Sequence, residues 1–111
     1  MKHYSERVLI KDALKEFKTE IKTLYGSRLK HLILYGSWAR DEATAESDID
    51  LIIVLEGNVM PGKEIDRMVD IVTDINLRHG VLISLHPISV VDFSTTNSPL
   101  LLNVRREGIP A

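Results

Sequence analysis

Residues 36–55 read GSWARDEATAESDIDLIIVL, and this stretch decides the fold. Its second half, Asp48 to Leu55, alternates and then becomes continuously apolar through Ile49, Leu51, Ile52, Ile53, Val54 and Leu55. That is the signature of a strand buried on both faces over much of its length. Its opening pair, Gly36-Ser37, abruptly ends a second short apolar, β-leaning run, His31 to Tyr35. Between them, Trp38 to Ser47 has no strand pattern and is rich in Ala, Glu and Asp, which fits a short helix or a turn.

Working outward, Leu14, Phe17, Ile21 and Leu24 recur at three- and four-residue steps within Val8 to Tyr25, and Gly26-Ser27 stops the pattern. This spacing predicts an amphipathic helix. Downstream, Gly57, Pro61 and Gly62 mark a loop, and Ile65, Met68, Val69, Val72 and Ile75 give a second helical stripe closed by His79-Gly80. Val81 to Ile88 predicts a third strand, with Pro87 pointing to an edge position or the strand's end. Ser98 to Arg106 predicts a short closing helix. The order α, β, turn, β, α, β, α predicts an α/β (α+β) domain: a small sheet of about three strands flanked by helices, in two or three layers.

A chain of 111 residues has room for one compact core, so a single domain over residues 1–111 is expected. With 44% hydrophobic and 27% charged residues, the composition is that of a globular protein rather than a disordered or fibrous one. The net charge of -2 argues against a protein that holds nucleic acid mainly by neutralising phosphates. The absence of cysteine excludes disulfides, thiolate zinc sites and cysteine nucleophiles. Met1 to Arg7 is polar, and no apolar run reaches membrane-spanning length, so a cytoplasmic location without membrane association is expected.

Asp48 and Asp50, at alternate strand positions, project to one face about 7 Å apart at their Cα atoms. Two such carboxylates suit a hard cation like Mg²⁺, which takes oxygen ligands and leaves positions for water or phosphate. A lone Asp-x-Asp more often caps a strand and pairs with a nearby arginine, here Arg40. The second element changes the balance: a strand ending at Gly36-Ser37 offers backbone N–H groups and a hydroxyl to a phosphate, with glycine permitting close approach. It is not a P-loop, because no Gly-Lys-Ser or Gly-Lys-Thr follows. Together, the two elements juxtapose a phosphate turn and a metal pair on neighbouring strand ends.

Gly36-Ser37, ten residues, then Asp48-Ile49-Asp50 resembles the signature of the polymerase-β nucleotidyltransferase superfamily, especially its minimal (MNT) branch. Ala39-Arg40, Ser47 to Leu51 and the ending Asn103 to Ile109 also resemble that branch, so nearly the whole chain takes part. The resemblance implies a polymerase-β-like fold in which Gly36 and Ser37 hold the triphosphate of ATP, Asp48 and Asp50 bind Mg²⁺, and Arg40 braces the site. It implies catalytic roles for Ser37, Asp48 and Asp50. The implied reaction is transfer of AMP to a hydroxyl of a partner protein, as in toxin–antitoxin pairs where the MNT protein adenylylates a HEPN-domain ribonuclease. A non-catalytic module that binds a nucleotide or neutralises a HEPN protein by complex formation is the alternative, and either form could be a homo-oligomer.

The superfamily usually supplies a third acid from the next strand, but Val81 to Pro87 contains none; Ser84 and His86 are the nearest candidates for its position. Asp41 stands where the family commonly has Gly, the residue suited to positive φ, and Asp tolerates that conformation better than most residues. Asp66, Asp70 and Asp74 form a row at four-residue steps that reads as a solvated helix face or as a surface for a basic partner. Arg105-Arg106 fits either a nucleotide contact or complementation of a helix dipole. Trp38 could stack on a base or pack against the first helix, and Phe17 and Tyr35 are assigned to the core.

Overall fold

Four strands, β1 (Leu29–Tyr35), β2 (Ile49–Leu55), β3 (Ile83–Ser89) and β4 (Ile109–Pro110), form one mixed sheet in the order β3-β2-β1-β4. The computed structural model describes residues 6–44 and 46–111, so the first five residues of the polar start lie outside them. β2 runs antiparallel to β1 and parallel to β3, and β4 pairs antiparallel with β1. The sheet therefore has one strand more than the three expected. Ile109-Pro110 completes it by pairing with Leu34 and Ile33, and the Ala111 N–H donates to the Leu32 carbonyl at 2.9 Å.

The continuous apolar run of β2 follows from its place between two helical layers. Ile49, Leu51, Ile53 and Leu55 point to one side, into a core shared with Ala13, Phe17 and Ile21 of helix α1 (Lys11–Tyr25) and with Met68, Val72 and Ile75 of helix α2 (Pro61–His79). Ile52 and Val54 point to the other, where Phe93 of α3 (Val90–Thr95) and Val104 of α4 (Pro99–Glu107) cover them. Burying a side chain of this size stabilises the fold by about 1.5–3 kcal/mol, so this one strand is a major source of cohesion. The helical stripes need correction at their margins: Leu24, Ile65 and Val69 are 40%, 38% and 45% exposed. Glu64 takes an inward place on α2 instead, at 5% exposure, and accepts a 2.8 Å hydrogen bond from the Tyr25 hydroxyl that ties the two long helices together.

Pro87 lies on β3, an edge strand, where proline's missing donor is tolerated. At the start of the same strand, the Ile83 N–H is taken by the Asn76 side-chain oxygen at 3.0 Å. The opposite edge strand, β4, also contains a proline, Pro110. No helix among the described residues is long and apolar enough to cross a membrane.

Candidate active site

The antiparallel register of β1 and β2 sets Tyr35 opposite Asp50, and the parallel register of β2 and β3 sets Ser84 beside Asp50 and His86 beside Ile52. Side chains alternate along strands, so Tyr35, Asp50, Ser84 and His86 share the sheet face covered farther along by α3 and α4. The Tyr35 and His86 rings meet edge-to-face with centroids 5.6 Å apart, and the Ser84 hydroxyl lies 3.5 Å from His86 Nε2. Tyr35, expected in the core, is a half-buried wall of this face. A pattern reading could not separate the two roles, because a strand's last apolar residue looks the same in both.

Asp50 is half-buried, whereas Asp48 is exposed and lies one residue before β2 begins. Burial raises the Asp50 carboxyl above the usual aspartate range; His86 opposes the shift, Asp48 adds to it by like-charge repulsion, and Arg40 opposes it. The Tyr35 phenol is pushed up to about 12 by burial and by the charge of Asp50. Among the described residues, neither aspartate forms an ion pair, so the Asp50–Arg40 pairing considered for a lone Asp-x-Asp is not made. Arg40 instead bonds Glu42 at 2.8 Å and reaches Glu107 at the end of α4 at 3.3 Å. Two carboxylates two residues apart, near enough to repel and neither in an ion pair among the described residues, are a fitting donor set for a hard divalent cation. No group of three or more acidic or histidine side chains converges among the described residues.

Gly36 directly follows Tyr35, and its φ of +78° lies where side chains are rarely accommodated. A Cβ at this position would sit 2.5 Å from Asp50 Oδ2, so the glycine brings the turn into contact with the carboxylate. Gly36–Trp38 forms a single 3₁₀ turn, not a longer helix. Its carbonyls are occupied: Gly36 accepts from the Ala39 and Arg40 amides at 3.0 and 3.2 Å, and Ser37 from the Glu42 amide at 2.9 Å. The Ser37 hydroxyl and the amides at the head of the turn are the groups that could face a phosphate. Asp41 adopts φ +59°, the conformation anticipated for a position where glycine is common.

Trp38 is core, not a stacking platform: it is 2% exposed, in the cluster that includes Ala13 and Phe17, and its indole N–H donates to the Ser47 carbonyl at 3.1 Å. Arg105 is committed elsewhere, donating to the Phe93 and Thr96 carbonyls at 2.6 Å each and to Asn97 at 3.0 Å. Arg106 bonds Asn103 within its own helix at 2.7 Å. Asp66, Asp70 and Asp74 are exposed on α2, as expected of a solvated face, with Asp74 paired to Arg78 at 2.8 Å.

Residues 9–110 match the family described as Polymerase beta, Nucleotidyltransferase. Three relatives from Methanocaldococcus jannaschii, each provisionally designated a protein adenylyltransferase, share 43% identity over 72 residues, 37% over 74 and 32% over 100. These matches take in 65%, 66% and 86% of this chain and 66%, 73% and 67% of the relatives, so the chain spans about two thirds of their length. In structure the chain resembles a provisionally designated nucleotidyltransferase from Sulfolobus solfataricus. The TM-score is 0.59 at 14% identity, over 98% of this chain and 87% of the other, a likeness that speaks to the fold alone.

Proposed function

The chain belongs to the polymerase beta nucleotidyltransferase family, and on that premise we propose that it transfers AMP from ATP to a hydroxyl of a partner protein. The observation that supports this reading is the close approach of Gly36 to Asp50, which puts the Gly36-Ser37 turn against one of two carboxylates that form no ion pair among the described residues. In this reading Ser37 and the turn hold the triphosphate, Arg40 attracts its charge, and Asp48 and Asp50 hold Mg²⁺. Bound there, the cation would neutralise phosphate charge and align the attacking and leaving oxygens. The acceptor oxygen bonds to the α-phosphorus as the bond to pyrophosphate breaks. Tyr35 and His86, in edge-to-face contact on the same sheet face as Asp50, form one wall of the site.

The partner in this proposal is a HEPN-domain protein, the two acting as antitoxin and toxin in the cytoplasm. A second reading, neutralisation by complex formation alone, is favoured by one feature: β3, the strand next to β2, carries Ser84 beside Asp50 and His86 beside Ile52 but no carboxylate, where superfamily members usually supply a third acid. Incubation with labelled ATP, Mg²⁺ and a HEPN-domain protein that the chain binds separates the two. The transferase reading expects label on the partner, lost in Asp48→Asn and Asp50→Asn. A stable complex that never takes up label would overturn it in favour of the binding module.

A further inference from the structure

We propose that the furrow between α1 and β4 docks an acidic, amphipathic helical segment of another protein. The inference stands apart from the transferase reading and involves no nucleotide. Lys11, Lys15, Lys18 and Lys22 recur at steps of four, three and four residues, which at 100° per residue gathers them within an arc of about 60° on α1. The furrow they overlook has a volume of about 570 Å³ and a floor that includes Leu14, Leu34 and Ile109. It continues past Lys18 into a second hollow of about 310 Å³ bordered by Lys22 and Lys30.

Among the described residues, no acidic side chain lines either hollow and none of these five lysines forms an ion pair. Two of the three acids of α1, Glu16 and Glu20, are on its other flank, where they border a separate groove with Asp70 and Asp74 of α2. The net charge of -2 therefore conceals two flanks of opposite sign on a single helix.

Charge complementarity and the apolar floor select the occupant. Nucleic acid is held by arginines and aromatic stacking surfaces as well as lysines, and among the described residues the main furrow offers neither. Strand addition is disfavoured because β4 is two residues long and one of them, Pro110, has no N–H. The lysine row, at 1.5 Å per residue, extends about 16 Å, or three helical turns. An apolar stripe flanked by Glu or Asp would fill the floor and meet the ammonium groups, whose aliphatic stems extend the apolar surface. Leu34, in the floor, precedes Gly36 by two residues but faces the opposite side of the sheet from Asp50, so a docked segment would leave the candidate active site open.

The test is fluorescence anisotropy on the intact chain without nucleotide. The probe is a labelled helical peptide of about four turns, with leucines at three- and four-residue spacing and glutamates between them. We expect saturable, salt-sensitive binding that weakens about tenfold or more in Lys11→Glu/Lys15→Glu, both exposed positions, and less in the milder Lys15→Gln/Lys22→Gln. Circular dichroism checks that each variant keeps its fold. Absent binding, equal binding of a peptide with lysine in place of glutamate, unchanged affinity in both folded variants, or stronger capture of a single-stranded RNA would each overturn the proposal. So would sedimentation showing that the chain self-associates through these lysines, which would make the acidic row of a second copy the occupant.

Discussion

The indole N–H of Trp38 donates to the carbonyl of Ser47 at 3.1 Å, so the residue after Ser37 is tied to the residue before Asp48. One buried side chain thereby closes the loop between the turn and the first aspartate, and Thr44 and Ser47 tighten it with a 3.0 Å bond between the Thr44 N–H and the Ser47 hydroxyl. Replacing Trp38 by Phe removes the donor and part of the core volume. We expect a loss of about 2 kcal/mol in urea denaturation together with a lower transfer rate. A variant as stable and as active as the wild type would show that this tie does not position Asp48.

Asp50 should cost the fold stability at neutral pH. Its carboxyl is raised by burial, so its contribution is fully present below the unfolded aspartate value of about 4 and is lost as pH rises through the higher folded value. Asp50→Asn is expected to stabilise the chain by about 1 kcal/mol at pH 7, with no gain near pH 4, while abolishing AMP transfer. Thermal melts at the two pH values check the sign. A gain that persists at pH 4 would refute the account.

Gly36→Ala combines a φ of +78° with a Cβ 2.5 Å from Asp50 Oδ2. A loss of about 1–3 kcal/mol is expected, along with a transfer rate reduced more than tenfold as the carboxylate is displaced. Gly57→Ala is the control: it too has positive φ, but a Cβ there meets nothing within 4 Å. It should lose stability and keep its rate.

The phenols should make the fold sensitive to alkali. Burial raises Tyr25, with the Glu64 bond adding to the shift, and it raises Tyr35 to about 12. Their contribution is intact below the unfolded tyrosine value of about 10 and is lost as pH climbs towards the folded values. Tyr25→Phe should cost about 1–3 kcal/mol at pH 7 by leaving buried Glu64 without its hydroxyl donor, and it should flatten the stability loss between pH 10 and 12, as followed by fluorescence.

Both central strands and both long helices were legible because each repeats its period over enough residues to be unmistakable, and the Gly36-Ser37 and Asp48/Asp50 elements were legible as a spaced pair. β4 was not: two residues, one of them proline, carry no periodicity, and they pair only because α4 ends against β1. Gly108 permits that approach, since a Cβ there would lie 2.6 Å from Ile33 Cγ2. Helix α3 is six residues long and was missed for the same lack of period. The inward turn of Glu64 depends on Tyr25, a partner 39 residues away in the chain, and helical spacing cannot express that.

The prolines at the two margins of the sheet have a consequence for how copies of the chain behave when concentrated. A bare strand edge is the template on which identical chains stack into cross-β fibrils, each N–H of one meeting a carbonyl of the next. Pro87 offers no N–H on one edge strand, where Asn76 also occupies that of Ile83, and Pro110 offers none on the other. A β2 as apolar as Ile49–Leu55 would be a fibril-forming segment if exposed; it is enclosed between β1 and β3, and the sheet is bordered by two strands poorly suited to templating another.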